Sequence, residues 1–256
     1  MFRALKHQVN VLESVATSSF SAWRGCLVVK AVPQPEKPLI LFDIEACPFC
    51  RKVREALTAL HLDTEIRPCP KGGRIFRAEA EAIGGKKQFP LLVDQNTGET
   101  LYESDAIVEY LFRQYANRPV PGYYKGKSWQ TALGAAGSAA SELRGMRARP
   151  AKRPAQALHL WSFEGSPFSR LVRERLCEFE IPYTLYNLGK EHWTEIGPAV
   201  QRIKPGPYEP EAGGKRDAFF QAHGRVQVPY LEDPNTGQML FESARILAYL
   251  EKEYAM

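Results

Sequence analysis

The chain repeats itself, and that duplication limits its fold more than any other feature. LILFDIEACPFCRKVREAL at 39–57 returns as LHLWSFEGSPFSRLVRERL at 158–176. QFPLLVDQNTGETLYESDAI at 88–107 returns as QVPYLEDPNTGQMLFESARI at 227–246. A shorter echo precedes each copy: ATSSFSAWRG at 16–25 and AGSAASELRG at 136–145 both close on Arg-Gly. Self-similarity over most of a 256-residue chain means one structural unit built twice. The expected division is a helical extension at 1–37, a first unit at 38–116, a linker with a helix at 117–155 and a second unit at 156–256. The second copy carries roughly twenty extra residues within Lys190–Arg225, where Pro198, Pro205, Pro207, Pro210 and Gly213-Gly214 mark a loop.

Periodicity gives each copy the order strand, helix, strand, helix, strand, turn, strand, helix. In the first copy the strands fall near 39–43, 63–67, 90–94 and 99–102, and the helices near 48–61, 74–83 and 103–115. Asn96-Thr97-Gly98 and Asn235-Thr236-Gly237 sit between apolar pairs and predict hairpin turns. A parallel βαβ followed by a hairpin and a last helix makes a four-stranded mixed sheet. The fold class is therefore α/β, two such units in tandem. In the extension, Phe2, Leu5, Val9, Leu12 and Val15 have amphipathic helical spacing. Its serines and scarcity of acids fit a transit peptide, but a cleaved address would not recur in mid-chain, so the extension is expected to belong to the fold.

Cys47-Pro48-Phe49-Cys50 carries the chemistry. It lies where Leu39–Phe42, a strand, turns into a helix marked by Val53, Leu57 and Leu60. Pro48 suits the first helical position. Exposed backbone N–H groups and the helix dipole favour a thiolate at Cys47, and the thiolate is the nucleophile. Cys50, one turn further in, is placed to resolve a mixed disulfide on Cys47. A structural zinc site needs a second ligand pair, and the chain has no second C-x-x-C or H-x-x-x-H. A structural disulfide fits poorly with an odd count of five cysteines, which suits a reducing, cytoplasmic setting. Cys69, between two prolines, is a candidate accessory thiol, and Cys177 an inert, half-buried one.

Net charge is +5 with both signs interspersed, and the densest basic run, Arg144 to Arg153, reads as a solvated linker rather than a nucleic-acid patch. No apolar run approaches the roughly 18 residues needed to span a membrane.

Taken together, the CPFC or SPFS at a helix start, the proline before a strand (Phe89-Pro90, Val228-Pro229) and the Glu-Ser opening the last helix (Glu103-Ser104, Glu242-Ser243) carry a resemblance. Both copies resemble the thioredoxin superfamily, specifically glutaredoxins and the N-terminal domain of glutathione transferases. The whole chain is similar to bacterial proteins with two such domains in tandem. The resemblance implies cis bonds before Pro90 and Pro229, with the backbone of Phe89 or Val228 free to pair with the cysteinyl part of glutathione. It implies that Glu103 grips the γ-glutamyl ammonium and Ser104 its carboxylate, with Asp105 assisting; capping of the helix is the plainer role for Glu-Ser. Glutaredoxins keep a lysine shortly before the first cysteine, where this chain has Asp43, Ile44 and Glu45. Arg51, Lys87 or Arg74 is then left to neutralise the glycyl carboxylate. In the second copy Ser166 and Ser169 replace both sulfurs while Pro229, Glu242 and Ser243 remain. Two readings stay open there, a serine-type glutathione site and a remnant kept for packing. For the whole chain the expected activity is glutathione-linked thiol–disulfide oxidoreduction on protein or small-molecule disulfides. Conjugation to electrophiles and plain glutathione binding are the alternatives.

Overall fold

The computed structural model describes residues 2–20, 23–125, 143–197 and 206–256. In the first copy β1 (Leu39–Asp43), α2 (Pro48–Leu60), β2 (Thr64–Pro68), α3 (Phe76–Gly84), β3 (Leu91–Asp94), β4 (Glu99–Tyr102) and α4 (Ser104–Ala116) follow one another. The second copy repeats the order with β5 (Leu158–Ser162), α5 (Pro167–Glu178), β6 (Tyr183–Asn187), α6 (Lys215–His223), β7 (Tyr230–Asp233), β8 (Gln238–Phe241) and α7 (Ser243–Tyr254). Ahead of both runs α1 (Phe2–Phe20). In each copy the first two strands are parallel and the hairpin strands antiparallel, the mixed four-stranded sheet expected.

The two sheets are not separate. β2 pairs antiparallel with β6, Glu65 opposite Thr184, giving one eight-stranded sheet in the order β4-β3-β1-β2-β6-β5-β7-β8. An edge strand exposes unpaired N–H and C=O groups, and here each copy covers the other's edge. A shared apolar core follows: Leu39, Leu57 and Ile66 of the first copy belong to the same buried cluster as Leu160, Leu176 and Ile246 of the second, with a smaller cluster on the other face of each copy's sheet.

Between α2 and α5 the joint is charged. Arg54 and Arg173, equivalent in the repeat, are both fully buried. Arg54 donates from Nε to Glu164 at 2.9 Å and also pairs with Asp43. Arg173 donates to Glu45 at 3.1 Å and pairs with the Glu164 carboxylate at 3.0 Å. The echoed Arg-Gly pairs complete the arrangement. Arg24 pairs with Glu55 and Arg144 with Glu174. Gly25 and Gly145 have φ of +73° and +76°, and added Cβ atoms would lie 2.7 Å and 3.0 Å from the Cβ atoms of Glu164 and Glu45. Only glycine meets both demands without strain.

Three expectations are corrected here. α1 exists, but Val9 and Leu12 are exposed, while Ser14, Thr17 and Ser18 are buried. That polar face is buried because Ser14 donates to the Pro167 carbonyl at 2.8 Å and Ser18 to that of Gly165 at 3.2 Å, both at the start of α5. Arg144 is no solvated linker residue, since it bridges Glu174 and Glu13 at 2.9 and 2.7 Å. Tyr124, in a stretch of linker composition, is buried against the core. The linker helix and most of the 136–145 echo lie outside the described residues, as do 198–205 of the extra loop. No helix among the described residues is long and apolar enough to cross a membrane.

Candidate functional site

Cys47 is the N-cap of α2 and Pro48 its first residue, as the strand-to-helix spacing predicts. Cys47 is partly exposed, whereas Cys50 is fully buried beside the Ile44 N–H, 3.4 Å from its sulfur. The two thiols are tuned in opposite directions. A hydrogen bond from the Cys50 side chain brings the Cys47 pKa down to about 6, against the cost of burial, with help from the N–H groups of Cys50 and Phe49 and the charge of Arg54. Burial, then that same hydrogen bond and the neighbouring Cys47 charge, push Cys50 well above the usual thiol range. A nucleophile and a resolving thiol require this asymmetry. Cys69 and Cys177 are buried, and burial raises both thiols, so neither is an accessory thiol and Cys177 is more deeply buried than its position suggests.

Phe89–Pro90 and Val228–Pro229 are both cis, the geometry the resemblance implies. Glu103 and Glu242 stand at the starts of α4 and α7 with φ of 66° and 71°. This is the left-handed region, which costs a non-glycine residue on the order of 1–3 kcal/mol. Neither helix has a side-chain cap, so Glu-Ser does not act as a cap. The first-turn N–H groups are left for another acceptor, which suits a carboxylate. Glu103 instead accepts from Gln88, and Glu242 from Gln227. Ser104 is buried as the first residue of α4. Asp105 is exposed and paired with Lys52.

Of the cations expected at the glycyl end, only Arg51 is committed to buried ion pairs. Arg51 is buried at the joint with Glu55 and Glu164, Lys87 pairs with Glu81, and Arg74 is exposed. The sequence reading did not single out Arg77, whose guanidinium lies 4.8 Å from the Phe89 ring centroid and donates to the Cys69 carbonyl. Arg77 is one basic position on a short helix, so no sequence signal marks it.

In the second copy Ser166 caps α5, accepting from the Ser169 N–H at 3.3 Å, while the buried Ser169 hydroxyl has no hydrogen-bond partner. His7, from α1, lies 3.2 Å from the Ser243 hydroxyl.

A family profile described as glutathione S-transferase, N-terminal domain, matches residues 41–119 and again 160–256. The chain belongs to that family. It carries the domain twice, and the family is one of glutathione-binding, thioredoxin-like domains. Searches of curated proteins and of solved structures returned no significant match. Both family segments contain a cis proline and an uncapped Glu-Ser helix start, and only the first carries cysteines at the start of its first helix, where the second has Ser166 and Ser169.

Proposed function

We propose that this protein is a glutathione-linked thiol–disulfide oxidoreductase acting through Cys47. The opposite tuning of two sulfurs one helical turn apart carries the reading. The Cys47 thiolate attacks the glutathionyl sulfur of a mixed disulfide. A Cys47–glutathione disulfide forms, and the partner thiolate leaves and takes a proton from water. A second glutathione thiolate then attacks the glutathionyl sulfur, giving oxidised glutathione and returning Cys47 as thiolate, a good leaving group because its pKa is low. In a dithiol branch, Cys50 loses its proton, attacks the Cys47 sulfur and expels glutathione thiolate. Its raised pKa makes this branch the slower one.

Glutathione fits the groups around Cys47. Glu103 takes the γ-glutamyl ammonium, with Asp105 beside it, and Ser104 with the uncapped first turn of α4 takes the neighbouring carboxylate. The backbone of Phe89, before Pro90, pairs with the cysteinyl unit, and Arg77 faces the glycyl carboxylate. The test compares glutathione-dependent reduction of a mixed disulfide with conjugation to an aryl halide. Cys47→Ser should abolish the reduction and Cys50→Ser should retain it, with little conjugation by any variant. Unimpaired reduction by Cys47→Ser would end this assignment.

A further inference from the structure

Lys71 and Lys190 occupy equivalent positions in the repeat, each just past the second strand of its copy. Their backbones are held alike. Lys71 donates to the Met146 carbonyl and accepts from the Ala148 N–H, as Lys190 does with Cys26 and Val28. Their side chains are not alike. Lys71 is exposed, whereas Lys190 is only 9% exposed. The extra loop accounts for the difference, because Lys190 Nζ donates to the carbonyl of Gly197 within it.

A lysine buried this far ordinarily has a carboxylate to pair with. Lys190 makes no ion pair among the described residues. Glu195, on the same loop, is engaged by Arg216 at 2.9 Å, by the Tyr208 hydroxyl and by the Glu191 N–H. The neighbouring Cys26 thiol is pushed up to about 11 by burial, so it is protonated at neutral pH and supplies no counter-charge. Burial brings the Lys190 ammonium down to about 8, against the pull of Cys26 and Glu195 and with the push of Arg216. The amine also faces open space. Nζ lies 5.9 Å from the Phe163 ring centroid, and Lys190 lines a cavity of about 1050 Å³ with Leu27, Val29, Phe163 and Ile196 among its walls. An amine desolvated in an apolar pocket beside another cation is activated as a nucleophile.

We propose that Lys190 is a covalent capture site for apolar aldehydes, which it holds through Nζ as an imine. The free amine adds to the carbonyl carbon, and one of its protons passes to the carbonyl oxygen. Water then leaves, so that a C=N bond replaces C=O with no change of oxidation state. The alkyl chain lies along Leu27, Val29 and Ile196. The reaction uses no glutathione and no thiol, so it stands or falls independently of the Cys47 assignment.

Hexanal with cyanoborohydride tests this on the full chain, because reduction fixes the imine as N-hexyl-lysine, which peptide mass spectrometry locates. Lys71 is the control within the same molecule. At pH 7 Lys190 should be labelled at least about tenfold faster than Lys71, since a pKa of about 8 rather than the usual 10.5 leaves far more free amine. Acetaldehyde, with almost no chain to bury, should lose at least about fivefold of that preference. Ile196→Asp places a carboxylate on the same wall and should bring Lys190 towards the rate of Lys71. Circular dichroism shows whether that variant folds, and the two comparisons on the unaltered chain do not depend on it. Labelling of Lys190 no faster than that of Lys71, or the same preference with both aldehydes, would overturn the proposal.

Discussion

Cys47 and Cys50 differ in sequence only by one helical turn, yet their surroundings push their pKa values in opposite directions, Cys47 down and Cys50 up. Position at a helix start was legible from the spacing of Val53, Leu57 and Leu60. The largest cause of the lowered pKa, the Cys50 hydrogen bond, was not, because it depends on how deeply the second sulfur is buried. The thiolate fraction grows as pH rises through the pKa, so alkylation of Cys47 by iodoacetamide should climb with a midpoint near 6 and level off above about pH 7. Cys50→Ala removes the main stabilising bond and should move the midpoint upward. A wild-type midpoint near 9, the ordinary value, would show that Cys47 is not activated. Arg77 teaches the opposite lesson to Cys47: its place over Phe89 depends on how α3 packs, which a lone arginine in a sequence does not reveal.

Among the elements, the hairpins were the most legible, because Asn-Thr-Gly between apolar pairs is a local signal. The structure adds the reason for the aspartates before them. Asp94 accepts from Tyr110 at 2.7 Å and from Tyr115, tying the β3–β4 hairpin to α4, and Asp233 repeats the arrangement with Tyr249 and Tyr254. Burial alone would raise the Asp94 carboxyl, but these bonds, with those from Asn96, hold it below its usual value. A depressed acid stabilises the fold above its unfolded pKa, near 3.8, and loses that contribution as pH falls through the folded value. Asp94→Asn should therefore cost about 1.5–3 kcal/mol near pH 7 in urea denaturation, with the gap to wild type closing in acid below about pH 3. A gap that stays constant into acid would remove the carboxylate from this account. α1 was legible as a helix but not in its orientation. Its periodicity favoured Val9 and Leu12, while the acceptors for Ser14 and Ser18 belong to α5, far along the chain.

At the scale of the whole molecule the duplication was legible and its assembly was not. Nothing local tells that β2 will pair with β6, or that a helix reading RKVRE will bury its arginines against the same helix of the other copy. Removing one member of a buried charge pair strands its partners, so Arg54→Met should cost about 3–5 kcal/mol, read as a lower urea midpoint. With one sheet and a main core shared by both copies, unfolding should remain a single transition; two separated transitions would show the copies to be independent. The central claim concerns division of labour between these joined copies, thiol chemistry in the first and none in the second. It is tested most directly by exposing the Cys50→Ser protein to oxidised glutathione and mapping the adduct by peptide mass spectrometry. One glutathionyl group on Cys47, with Cys26, Cys69 and Cys177 unmodified, is the predicted result. An unmodified Cys47, or an adduct on Cys26 instead, would contradict it.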